Sequence, residues 1–182
     1  MKINNTTVEV VHESMMHQKV DAVVNAANPA LADGGGITRV IFGAAGKGLP
    51  AEIRQKYPQG TPTGTAVITG GHDLKQPYII HTPGPVWHGG AHGEPGLLAS
   101  SYRSCLEVAD KAGVKSIAFC SISTGIYLYP LDKAAPLALK TIRDYLAAHP
   151  EATLERVIFA MFGQKEFDAF VHASAEVYGE AV

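Results

Sequence analysis

The 182-residue chain is poor in the features that cross-link a protein, anchor it or draw in distant charge. It has two cysteines, Cys105 and Cys120, and one tryptophan. Two cysteines are too few for a disulfide framework. Cys120 lies in an apolar run and Cys105 in a helix-like stretch, so both are expected to be buried thiols in a reducing compartment. The formal net charge is −2 and no run of Lys and Arg occurs. Broad electrostatic capture of nucleic acid or of an anionic membrane is therefore not expected. No apolar stretch has the length of a membrane span, and residues 1–11 lack the basic, apolar and cleavage-site order of a signal peptide. The expected location is the cytoplasm. The spacings of His72, His81, His88 and His92 match no common zinc pattern. No metal and no cofactor are expected.

What the chain does contain is the material of a core. Hydrophobic residues make up 46% and charged residues 18%, a globular balance rather than a disordered one. The length suits one domain, and no repeat or linker divides it. Short runs predict strands over 7–11, 20–24, 66–69, 78–81, 116–122 and 156–162. Helices are expected over 38–45, 50–57, 97–111, 131–147 and 166–178, with Pro136 expected to kink the fourth or delay its start. The second half alternates helix and strand. The fold class that follows is α/β, a three-layer α/β/α domain with a central mixed sheet.

In such sheets ligands sit beyond the carboxyl ends of strands. Two segments fit that position. The first runs from Asn25 to Gly36, and Gly34, Gly35 and Gly36 precede the helix of Ile37 and Thr38. Free N–H groups at that helix start favour an anionic oxygen. Asn25 and Asn28 each offer an uncharged donor and acceptor, suited to sugar hydroxyls or to a water beside a sugar. The second segment is Ser121 to Tyr127, where Ser123, Thr124, Gly125 and Ile126 offer hydroxyls and N–H groups at a strand end. Each taken alone is equally well explained as a connecting turn. Two anion-suited loops in one small domain point to two linked phosphates.

Val24-Asn25-Ala26-Ala27-Asn28, the glycine run, Ala44-Ala45-Gly46, Pro62-Thr63-Gly64-Thr65-Ala66, Ile80 to Trp87 and Ile122 to Tyr127 together resemble the macrodomain family, in its order and approximate spacing. The resemblance runs from about Val10 to the end, and its nearest branch is the bacterial MacroD type. The chain, residues 1–182, is thus read as a single macrodomain. The resemblance implies a cleft for ADP-ribose, free or on an ADP-ribosylated protein. Gly34 to Ile37 and Ser123 to Tyr127 would wrap the diphosphate, Asn28 would face the distal ribose, and Phe162 would lie against the adenine. MacroD-like members hydrolyse ADP-ribosyl esters or deacetylate O-acetyl-ADP-ribose, and other members only bind.

This sequence departs from the hydrolytic pattern at several positions. Thr38 stands where those members hold Asp, and Phe42 where they hold His. Neither Thr nor Phe can act as a general base. Arg39 replaces a small residue, where it would pair with a phosphate or narrow the cleft. Leu128 replaces Gly. Glu13, within His12-Glu13-Ser14-Met15, takes the place of the Asp that recognises the adenine amino group. Asn28 and Asp33 are the remaining candidates for a catalytic role, Asn28 by orienting water or ribose and Asp33 as a substitute base. Three functions stay open: an ADP-ribosyl hydrolase, a non-catalytic ADP-ribose reader, and an RNA-binding module using the same cleft.

Overall fold

The computed structural model describes all 182 residues. Seven strands form one sheet: β1 (Lys2–Ile3), β2 (Thr6–Val11), β3 (Ala22–Ala27), β4 (Val67–Gly70), β5 (Tyr78–Pro83), β6 (Ser116–Phe119) and β7 (Arg156–Ala160). Their spatial order is β1-β2-β7-β6-β3-β5-β4. The five inner strands run parallel, and β1 and β4 close the two edges antiparallel. Five helices cover it: α1 (Ile37–Ala45), α2 (Gly48–Lys56), α3 (Glu94–Lys111), α4 (Leu131–Ala148) and α5 (Gln164–Tyr178). This is the expected three-layer α/β/α arrangement around a mixed sheet. No helix is long and apolar enough to cross a membrane.

Alternation along the strands assigns their side chains to the two helical layers. Ile117, Phe119, Val157 and Phe159 face α3, α4 and α5 and belong to the larger core. Val23, Ile79, Ala118 and Ile158 face α1 and α2 in a smaller one. Tyr102, Phe119, Phe159 and Phe170 pack ring to ring at the centre of the larger core.

Three differences from the sequence expectation matter for the site. First, β3 runs on to Ala27, because β5 pairs with it in parallel as far as Pro83. Asn25 therefore lies within a strand, not in the loop after it. Second, β6 and β7 end at Phe119 and Ala160, so Ser121 to Tyr127 and Phe162 lie beyond the sheet. Third, α4 starts at Leu131 and passes through Pro136 without breaking. Pro136 is the sixth residue of that helix, where the missing N–H removes one early hydrogen bond and leaves the rest of the ladder intact.

Candidate functional site

The carboxyl ends of all five parallel strands open onto one cleft of about 730 Å³. Ser14 and Met15 follow β2, Asn28 and Gly34 to Thr38 follow β3, and Gly84 follows β5. Cys120 to Tyr127 follow β6 with Ile122 left out of the wall, and Met161, Phe162 and Gly163 follow β7. The convergence is a consequence of parallel strands, which all point their carboxyl ends the same way.

The cleft contains no Lys, Arg or His side chain. Its capacity for an anion lies in the backbone. The amides of Gly35, Gly36, Ile37 and Thr38 donate to no backbone carbonyl, as expected of a loop entering a helix. Gly36 takes φ +60 at the start of α1, a conformation that favours glycine. The amides of Thr124, Gly125, Ile126 and Tyr127 are likewise without backbone acceptors. Ser123 sits at φ +68, and its Oγ is buried in the cleft wall without a partner. A buried hydroxyl without a partner is uncommon and suits a ligand oxygen. Gly84 makes this geometry possible, since a Cβ there would collide with Ser123 Oγ and come within 2.6 Å of Ile122 Cγ2.

Large exposed apolar side chains gather at this opening. Val40, Ile126 and Phe162 line it, and Phe162 is 82% exposed. A ring this exposed at the end of a strand is a platform for stacking. Cys120 lies half-buried in the cleft wall, so it is not the fully buried thiol expected, whereas Cys105 is fully buried. Burial pushes the Cys120 thiol up to about 11, so it carries no charge at neutral pH.

The structure sorts the candidate residues. Asn28, Gly34, Gly35, Gly36, Ile37, Thr38, Ser123, Thr124, Gly125, Ile126, Tyr127 and Phe162 line the cleft. Asn25, Asp33 and Glu13 do not. The Asn25 side chain points from β3 into the small core and is 1% exposed. Its Nδ2 donates to His81 Nδ1 at 3.2 Å, and its Oδ1 accepts from Thr38 Oγ1 at 3.0 Å. His81 Nε2 in turn donates to Thr69 Oγ1 at 2.9 Å, and Thr69 donates to the Gly70 carbonyl. Asn25 is thus a buried brace between β5 and the first turn of α1. Burial pushes His81 down to about 4, so the ring is neutral and can accept from Asn25.

Asp33 accepts from the Gly34 amide at 2.7 Å. It faces a second groove, between the first loop and the helices α1 and α2, together with Phe42, Lys47 and Arg54. Glu13 is exposed and accepts from Gln18 Nε2 at 3.0 Å, so Ser14 and Met15 take the cleft position expected of it. Asn28 closes a ring with Ala32. Its Nδ2 donates to the Ala32 carbonyl at 2.9 Å and its Oδ1 accepts from the Ala32 amide at 3.0 Å. Thr38 Oγ1 lies 3.0 Å from both the Asn25 Oδ1 and the Ala26 carbonyl, so its hydroxyl is held inward.

Arg39 is exposed on α1 and lies outside the cleft lining, so it does not narrow the cleft. Leu128 occupies φ +61, and the loop keeps its left-handed turn without glycine. Gly84, Cys120 and Glu166 also line the cleft, and their sequence context did not single them out as site residues. Gly84 lies within the Ile80 to Trp87 segment that carried part of the resemblance, and Glu166 stands in the first turn of α5. No three His, Cys, Asp or Glu side chains come together as a metal site would require.

The Macro domain family model matches residues 24–138, well over half of the chain, and the chain belongs to this family. A macro domain-containing protein from Caldanaerobacter subterraneus is 41% identical over 172 residues, covering 93% of this chain and 97% of its own. The O-acetyl-ADP-ribose deacetylase of Cronobacter sakazakii is 43% identical over 163 residues, covering 88% of this chain and 89% of its own. Among solved structures, a variant of the Oceanobacillus iheyensis macrodomain with ADP-ribose superposes with a TM-score of 0.91 at 34% identity. That match covers 99% of this chain and 98% of the other.

Proposed function

We propose that the cleft binds ADP-ribose, free or attached to a protein. The diphosphate lies between the Gly34–Thr38 and Ser123–Tyr127 segments, the adenine on Phe162 and the distal ribose toward Asn28. One observation carries this. Two sets of partnerless amides and a buried free hydroxyl meet in a cleft with no cationic side chain. Such a site favours a compact, localised anion and gives no advantage to an extended polyanion such as RNA. The solved relative with ADP-ribose supports the same ligand.

Recognition without rapid turnover is the form of this function that the geometry favours. The Thr38 hydroxyl is held by Asn25 and Ala26, the Asn28 amide is closed on Ala32, and the Asp33 carboxylate lies outside the cleft. No carboxylate or imidazole beside the glycine run faces the cleft to deprotonate a water. A second function, hydrolysis of an ADP-ribosyl or O-acetyl-ADP-ribose ester, has the support of the deacetylase relative. It would depend on water held by Asn28 and by the bound phosphates.

Calorimetric titration with ADP-ribose, with AMP and NAD as controls, tests the binding. Affinity for ADP-ribose well above both controls is expected, and no heat at high micromolar ligand overturns the assignment. Turnover of O-acetyl-ADP-ribose separates the two forms. A slow or absent reaction is expected of a reader, and multiple rapid turnovers would make the chain a hydrolase.

A further inference from the structure

We propose that Glu166 reads the nucleobase, accepting a hydrogen bond from the exocyclic amino group of a base stacked on Phe162. The inference rests on the assignment of the cleft to ADP-ribose. Glu166 is the only acidic side chain lining the cleft. It stands in the first turn of α5, four residues after Phe162, and is half-buried. Its carboxylate folds back over Gly163, where an added Cβ would collide with it. That places it in the stretch of wall shared by Phe162 and Gly163. It forms no salt bridge, and the hydrogen bond on its own helix turn joins Gln164 to Asp168 instead.

A carboxylate in a site for an anionic ligand repels that ligand, and no Lys, Arg or His in this cleft offsets the repulsion. It lowers affinity unless the ligand brings a proton donor to it. Adenine carries such a donor on the edge of a flat ring, and the exposed Phe162 face supplies the platform that holds the ring beside the carboxylate. A hydrogen bond to a charged acceptor is shorter and stronger than one to a neutral acceptor, so Glu166 favours an amino-bearing base over one without. The other acceptors near this end are already engaged. Ser14 Oγ accepts from the Met16 amide, and Glu13 accepts from Gln18 outside the cleft.

The test compares ADP with purine riboside 5′-diphosphate, in which a hydrogen replaces the amino group. Calorimetry is run on the wild-type protein, Glu166→Gln and Glu166→Ala, each shown to be folded by circular dichroism. The wild-type protein is expected to bind ADP roughly tenfold more tightly than the analogue. Glu166→Gln, which keeps a neutral acceptor, should show a smaller ratio. Glu166→Ala should bring the ratio close to one by weakening ADP. An unchanged ratio in Glu166→Ala overturns the proposal. A wild-type ratio of one overturns it while the nucleotide cleft stands. Failure of the wild-type protein to bind either diphosphate, or ADP-ribose, removes the cleft assignment and the proposal together.

Discussion

The two loops that face each other across the cleft present the same groups by different means. The first loop turns left-handed at Leu31, φ +55, and enters α1 on glycine, with Gly36 at φ +60 and Gly35 and Gly36 exposed. Its anchor is a buried relay, in which Thr38, Asn25, His81 and Thr69 join the start of α1 to β3, β5 and β4. The second loop uses ordinary residues in left-handed conformations, Ser123 at φ +68 and Leu128 at φ +61. Its freedom is supplied from outside, by the missing Cβ of Gly84. Backbone permissiveness can therefore lie in the loop itself or in the strand end that the loop packs against. The first kind is visible along the sequence, and the second is visible only in space.

The largest effect expected on this contrast is that of pH on the first loop. His81 titrates near 4 when folded, against about 6.5 when unfolded. Between these values the unfolded chain binds the proton and the folded chain does not. Stability contributed by the neutral ring is complete above about pH 6.5 and is lost as the pH falls toward 4. The loss is on the order of 3 kcal/mol. Urea denaturation at pH 7 and at pH 4.5 should show most of it, and an NMR titration that charges His81 near pH 6.5 would break the relay.

Asn25→Ala comes next. It leaves the His81 Nδ1 buried without a donor and opens a small void, at a cost of about 2–3 kcal/mol by chemical denaturation. A loss under about 0.5 kcal/mol would mean that the first loop needs no anchor. Gly84→Ala should cost about 2 kcal/mol by overpacking Ile122 and Ser123, and it should weaken ADP-ribose binding by displacing the second loop. Wild-type affinity in that variant would separate Gly84 from the loop. The smallest change is Leu128→Gly. Relief of the left-handed backbone slightly exceeds the added chain entropy, for a gain of about 0.5 kcal/mol in a thermal melt. Destabilisation by this substitution would show that the exposed Leu128 side chain has a packing role.

The same contrast explains how much of the molecule was legible from its sequence. Periodicity placed the helices and the buried strands, because apolar spacing and burial are one physical fact. It misjudged strand ends, since the length of β3 depends on how far β5 runs beside it. That error moved Asn25 from the sheet to the loop and gave it a ligand contact instead of a structural bond. Asp33 was near the glycine run in sequence, yet the turn after Asn28 sends it to the far side of the loop. Glu13 and Ser14 differ by one position, and only the start of the short helical turn at Met15 decides which of them faces the cleft. Phe162 was found because the family resemblance implies an aromatic after the last strand. Glu166 was not, because a glutamate in a first helical turn is common for reasons of helix polarity alone.

By itself the sequence determined the layers and the two glycine- and hydroxyl-bearing loops, and the order of its motifs carried the resemblance to the family. These are properties of local spacing and residue chemistry, which survive without knowledge of distant partners. The tertiary structure alone decided which polar side chains are spent on the protein itself and which remain for a ligand. Asn25, Thr38 and Glu13 are satisfied internally, whereas Ser123 Oγ and the loop amides are not. That division follows from strand pairing and helix placement between segments far apart in the chain, and hydrogen-bond partners at such separation leave no mark on local sequence.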